Sequence, residues 1–123
     1  MNNTIKSYRD LEIWKRSMEL VKEIYLATKL LPKEELFELS IQIRRAAVSV
    51  PSNIAEGCGR TGQREFLHHL SIAHGSLLEM ETQIQIAEML GYFQAEILSA
   101  LLERTKSLSI MIRALIKKLK AVD

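Results

Sequence analysis

Apolar residues recur at alternating three- and four-residue steps along almost the whole of this 123-residue chain, and no stretch alternates apolar with polar. That period belongs to amphipathic helices and excludes a sheet protein. Helix 1 is expected from about Asp10 to Leu30, with a core stripe of Leu11, Trp14, Met18, Val21, Tyr25 and Thr28. A second stripe runs through Ile13, Leu20, Ile24 and Leu31. Leu31-Pro32-Lys33 ends this segment, and Pro32 suits the first turn of the next helix. Helix 2 is expected over about Lys33 to Glu56 with a stripe of Leu36, Leu39, Ile43, Ala47, Val50 and Ile54. Helix 3 spans about Gln63 to Leu90, with Phe66, Leu70, Ala73, Leu77, Met80, Ile84 and Ala87 on its seam; Gly91 ends it. Helix 4 spans about Gln94 to Ala121, with Leu98, Leu101, Thr105, Leu108, Ile112, Leu115 and Leu119 inward. The links are short, which favours antiparallel neighbours. The expected fold is all-α: one domain over residues 1–123, an up-down-up-down antiparallel four-helix bundle. Residues 1–7 are expected to be flexible.

Pro51 lies inside the second helix. A proline there removes a backbone donor and collides with the carbonyl four residues back, at roughly 3 kcal/mol, so a bend at Pro51 is expected. Ser49, Ser52 and Asn53 lie close enough to satisfy freed backbone groups. Gly57 is expected to close the helix in a left-handed conformation, and Gly57, Gly59 and Gly62 to make a tight interhelix turn.

The helices carry more apolar surface than one bundle needs. Ile41, Val48 and Ala55 lie away from the core stripe of helix 2. On helix 3, Ile72, Ile86 and Leu90 form one extra flank, and Leu67, Leu78 and Met89 another. A monomeric bundle helix needs a single apolar face about 100° wide or somewhat more. The excess predicts a buried surface between subunits, so the chain is expected to be a homo-oligomer.

The formal charge of +2 is too small to imply nucleic acid by itself. Cys58 is the lone cysteine, which fits a reducing compartment. No apolar run approaches the roughly 20 residues of a membrane helix, and the amino terminus lacks a signal-peptide core. A cytoplasmic protein without membrane contact is expected. Glu65 and His68 have the Glu-x-x-His spacing of di-iron bundles, but only one copy exists where two are needed. His68, His69 and His74 lack the order of zinc peptidases. No cofactor, no metal and no enzyme activity are expected.

Two polar clusters remain. On helix 4, Lys106, Arg113, Lys117 and Lys120 project within about 60° of one another with no acid between them. Such a stripe suits phosphate, or else simply offsets the helix dipole. Arg44 and Arg60 are second candidates for nucleic acid. On helix 2, Arg45, Ser49, Ser52 and Glu56 line the side opposite the core, and Glu79 follows Gly75-Ser76 on helix 3. Gly75 would admit a close helix, and an Arg–Glu link between helices 2 and 3 is one use of these charges.

The chain resembles the four-helix-bundle proteins encoded within intervening sequences of bacterial large-subunit ribosomal RNA genes. The likeness begins at Tyr8-Arg9-Asp10-Leu11-Glu12-Ile13-Trp14. It is strongest from Gln42 to Gly57, which holds Arg45, Ser49, Pro51, Asn53, Glu56 and Gly57. It continues at Glu65-Phe66-Leu67 and from Ala73 to Glu79, which holds Gly75, Ser76 and Glu79. The resemblance implies a small non-enzymatic bundle that forms ring-shaped homopentamers in some members, and an RNA-associated role. A related accessory protein of diversity-generating retroelements is similar in shape, pairs with a reverse transcriptase and uses a basic surface; this chain is less basic than that role implies. Two functions follow as expectations. One is a homo-oligomeric RNA- or ribosome-associated protein. The other is an interaction scaffold for a protein partner such as a polymerase.

Overall fold

The structure, a computed structural model, describes residues 7–122. The expectation of flexibility falls on residues that lie outside this range, except for Ser7. Its hydroxyl accepts the Arg9 N–H at 3.1 Å, while Asp10 Oδ2 accepts the Ser7 N–H at 3.2 Å. This pairing caps a short 3-10 turn, Tyr8–Asp10. Four helices follow: α1 (Glu12–Thr28), α2 (Leu39–Gly59), α3 (Gln63–Met89) and α4 (Ala95–Val122). No strand occurs among the described residues.

Each helix packs on two neighbours. α2 against α3 is the most extensive pairing, and α1 and α4 close the set. Between α2 and α3, Gly57 and Asn53 meet His69, and Ser49 meets Ser76, so numbers fall on one helix as they rise on the other. Between α3 and α4, Gln63 Nε2 donates to the Leu119 carbonyl at 2.7 Å, and His74 meets Ser109. Ile24, Ile43, Ile54, Leu70, Leu77, Met80, Ile84 and Ile112 are fully buried between them. Thr105 is buried too, its hydroxyl donating to the Leu101 carbonyl at 2.7 Å, so it leaves no unmet polar group.

Three expectations need correction. On α1 the expected stripe is inward only in part: Leu11 and Thr28 are buried and Trp14 and Val21 pack on the core, but the second stripe's Ile13, Leu20, Ile24 and Leu31 are buried as well, together with Ser17 and Ala27. Met18 and Tyr25 are 45% and 41% exposed. Small residues decide this. Ser17 donates its hydroxyl to the Trp14 carbonyl at 2.8 Å, and so enters the core without an outside partner.

The second helix starts later than expected. Residues Lys33–Glu35 form a 3-10 turn, and Leu36 and Phe37 point outward, Phe37 being 79% exposed. Glu35 fixes this junction. Its Oε1 accepts the Leu39 N–H at 3.3 Å at the start of α2, and its Oε2 accepts the Tyr92 hydroxyl at 2.9 Å.

Gly57 does not end α2. The helix runs through Pro51 and Gly57 to Gly59, and the left-handed glycines are Gly62 (φ 100°) and Gly91 (φ 85°). Gly57 is buried against α3, where a Cβ would stand 2.5 Å from His69 Cβ and 3.2 Å from Phe66 Cδ1. The absence of a side chain lets the two helices touch there.

Candidate nucleic-acid interface

Arg113, Lys117 and Lys120 lie at helical steps of four and three, which puts them on one face of α4. In the structure they line a groove of about 390 Å³ together with Ile116 and, from α3, His74. The three cations are exposed, and Ile116 is half-buried against the core. His74 Nε2 lies 2.8 Å from Ser109 Oγ, which fixes the ring across the helix pair. Burial first, and then the Arg113 charge, push the His74 imidazole below the ordinary histidine range; Glu81 opposes them. His74 is the lining residue that sequence reasoning did not attach to the stripe. The spacing of α4 alone could not reveal it, since it enters from another helix. Lys106 is exposed on α4 but does not line this groove.

The second-rank cations sit elsewhere, engaged within the chain. Arg44 Nε donates to Thr28 Oγ1 at 2.8 Å, and its guanidinium lies 4.8 Å from the centre of the Tyr25 ring. Thr28 Oγ1 in turn donates to the Ile24 carbonyl at 2.8 Å. Arg44 therefore ties α2 to α1. Arg60 pairs with Glu56 one turn back at 2.6 Å. That hydrogen bond, with the His69 charge behind it, holds the Glu56 carboxyl below its ordinary range, and Glu56 raises Arg60 above its own.

A polar chain runs along the α2–α3 contact. Asn53 Nδ2 donates to the Ser49 carbonyl at 2.9 Å and to Ser49 Oγ at 3.0 Å. Ser49 Oγ meets Ser76 Oγ at 2.8 Å. Because the Asn53 amide must face the carbonyl, its Oδ1 faces His69 Nδ1, 3.0 Å away, and that nitrogen carries the proton. His69 Nε2 stands 4.0 Å from Glu56 Oε2. Ser49, Asn53, Glu56, Gly57 and Ser76 thus act together at one helix contact with the buried His69.

Among the described residues no Arg–Glu pair links α2 to α3. Arg45 and Glu79 are both exposed and line one shallow groove with Gln42, Ala46, Ser49 and Ser76, but no ion pair among the described residues joins them. Glu79 instead accepts from Gln83 Nε2 at 3.3 Å. Gly75 is exposed with nothing within 4 Å, so no helix of this chain uses the space it leaves. Glu65 is exposed, and Phe66 packs on the core edge.

The apolar flanks face outward in the single chain. Val48, Ile72, Leu78, Ile86 and Met89 are exposed, Met89 at 74%, while Ile41, Ala55 and Leu67 are half-buried. Ile41 and Val48 join Tyr25, Leu36 and Phe37 in an apolar groove of about 600 Å³, with Arg44, Arg45 and Ser49 also lining it. Cys58 is half-buried, and burial raises its thiol above the ordinary range. Among the described residues no three His, Cys, Asp or Glu side chains gather as metal ligands, and no helix is long and apolar enough to cross a membrane.

A family model described as "23S rRNA-intervening sequence protein" matches residues 9–114. No curated protein matches the chain. Among solved structures, a protein of unknown function from the S23 ribosomal protein family of Bacteroides thetaiotaomicron superposes with a TM-score of 0.80. The two are 23% identical, and the match covers 85% of this chain and 98% of the other. At that identity the likeness is one of fold.

Proposed function

The chain belongs to the 23S rRNA-intervening sequence protein family, and from that premise we propose that it is a non-catalytic, homo-oligomeric RNA-associated protein of the cytoplasm. Each subunit is an up-down-up-down bundle with α2 bent at Pro51. The observation that carries the RNA reading is the groove where Arg113, Lys117 and Lys120 converge beside His74. Three cations over one groove suit a run of backbone phosphates, which are read by charge without sequence preference. No aromatic side chain lines the groove, so base stacking has no platform there. Copies of a weak site repeated around an oligomer, a pentamer by family resemblance, act together through effective concentration. The exposed Val48, Ile72, Leu78, Ile86 and Met89 supply the apolar area that such an assembly buries.

Reversing all three α4 charges in one variant, Arg113→Glu with Lys117→Glu and Lys120→Glu, tests the reading. Filter retention of RNA at low salt is expected to vanish while helicity is kept; unchanged retention removes the groove from the account.

A second reading is a scaffold for a protein partner such as a polymerase. The groove of Tyr25, Leu36, Phe37, Ile41 and Val48 favours it, because Phe37 is 79% exposed beside four other large apolar side chains. Pull-down from nuclease-treated lysate separates the two readings: a partner that survives nuclease supports the scaffold, and one that is lost supports RNA.

A further inference from the structure

We propose that His74 is the ligand-responsive member of the basic groove: an RNA phosphate bound there draws a proton onto its ring. The inference rests on the RNA reading of the groove and adds its regulation by pH. Among the groove's lining residues, His74 alone is of a type that ordinarily titrates near neutrality. Arg113 of α4 and Glu81 of its own helix act on the ring's charge, and Lys117 and Lys120 of α4 line the same groove. α1 and α2 contribute no lining residue to the groove.

The geometry lets the ring change charge without breaking its anchor. Nε2 lies 2.8 Å from Ser109 Oγ, and a hydroxyl can donate to a bare nitrogen or accept from a protonated one by rotating. With no anion present, burial and the Arg113 charge favour the neutral ring. A phosphate among the cations cancels that repulsion and adds a negative charge close to the imidazole. Both changes favour the protonated form. By linkage, a group whose pKa rises on binding takes up protons as the complex forms, and the complex weakens as pH rises.

The experiment is calorimetric titration of the full chain with oligouridylate at low salt and about pH 6.5, in two buffers of different ionisation enthalpy. The expected result is a binding enthalpy that depends on the buffer in the sense of proton uptake. Affinity is expected to fall by up to about tenfold for each pH unit across the histidine range. His74→Gln keeps a polar side chain without a titrating ring; it should lose both the buffer dependence and the fall of affinity with rising pH. Binding by wild type with no buffer dependence overturns this inference and leaves the RNA reading standing. A wild-type chain that fails to bind removes both. Should His74→Gln misfold, the wild-type imidazole can be followed by NMR: its midpoint is expected to move up with oligouridylate, and an unmoved midpoint overturns the proposal.

Discussion

Gly57 of α2 lies so close to His69 of α3 that a Cβ added to the glycine would stand 2.5 Å from the histidine's own Cβ. Real Cβ atoms do not approach to that distance, and neither atom is the flexible end of a long side chain. The contact brings together the polar chain that runs from Glu56 through His69 and Asn53 to Ser49 and Ser76.

Gly57→Ala is therefore expected to destabilise the fold. In an open helix the same change gains roughly 0.5–1 kcal/mol of backbone entropy, but overpacking a buried contact costs about 1–3 kcal/mol, and here the second effect wins. Gly59→Ala is the control, because nothing lies within 4 Å of that glycine. Urea unfolding should show Gly57→Ala below wild type and Gly59→Ala at or slightly above it.

Asn53→Ala should cost about 1–2 kcal/mol in the same measurement. It removes the acceptor of His69 Nδ1 and the donor to the Ser49 carbonyl at one stroke. Ser52→Ala, on the exposed side of the same turn, should stay within about 0.5 kcal/mol of wild type.

Glu56 gives the expected pH dependence at acid. Its folded carboxyl titrates below the ordinary value because of the Arg60 hydrogen bond and the His69 charge. The folded state thus binds that proton less readily than the unfolded chain. The pair's contribution is complete above the unfolded carboxylate range and is lost as pH falls through the depressed folded value. Carbon-detected NMR of Glu56 should show the depressed midpoint, and Arg60→Gln should move it back up.

The apolar flanks make a prediction about assembly. Val48→Glu with Leu78→Glu places charges on two exposed positions that the fold of one chain does not need buried. Light scattering at micromolar concentration is expected to give an oligomer for wild type and a monomer for this variant, with helicity unchanged. A monomeric wild type would remove the subunit interface.

Much of the fold was legible because α3 and α4 carry long, regular apolar seams and Gly91 ends the third one. Where reading failed, small or polar residues had decided the packing. On α1, Ser17 and Ala27 are buried while the larger Met18 and Tyr25 are exposed, which apolar periodicity alone does not foretell. Glu35 capped α2 at Leu39 although the periodicity began earlier. Gly57 looked like punctuation because a buried close approach leaves the same sequence mark as a helix end. At the candidate site, Arg113, Lys117 and Lys120 were legible from one helix's spacing. His74 and the internal engagement of Arg44 were not, because both depend on a second helix.

The salt dependence of RNA affinity tests the central claim most directly. For single strands each neutralised phosphate contributes about −0.7 to the slope of log K against log salt, so three cations imply a slope near −2 per occupied groove. Measured by fluorescence anisotropy with labelled oligouridylate, wild type is expected to show that slope, and the variant reversed at Arg113, Lys117 and Lys120 to show no binding. Equal affinity and equal slope for the two proteins would contradict it.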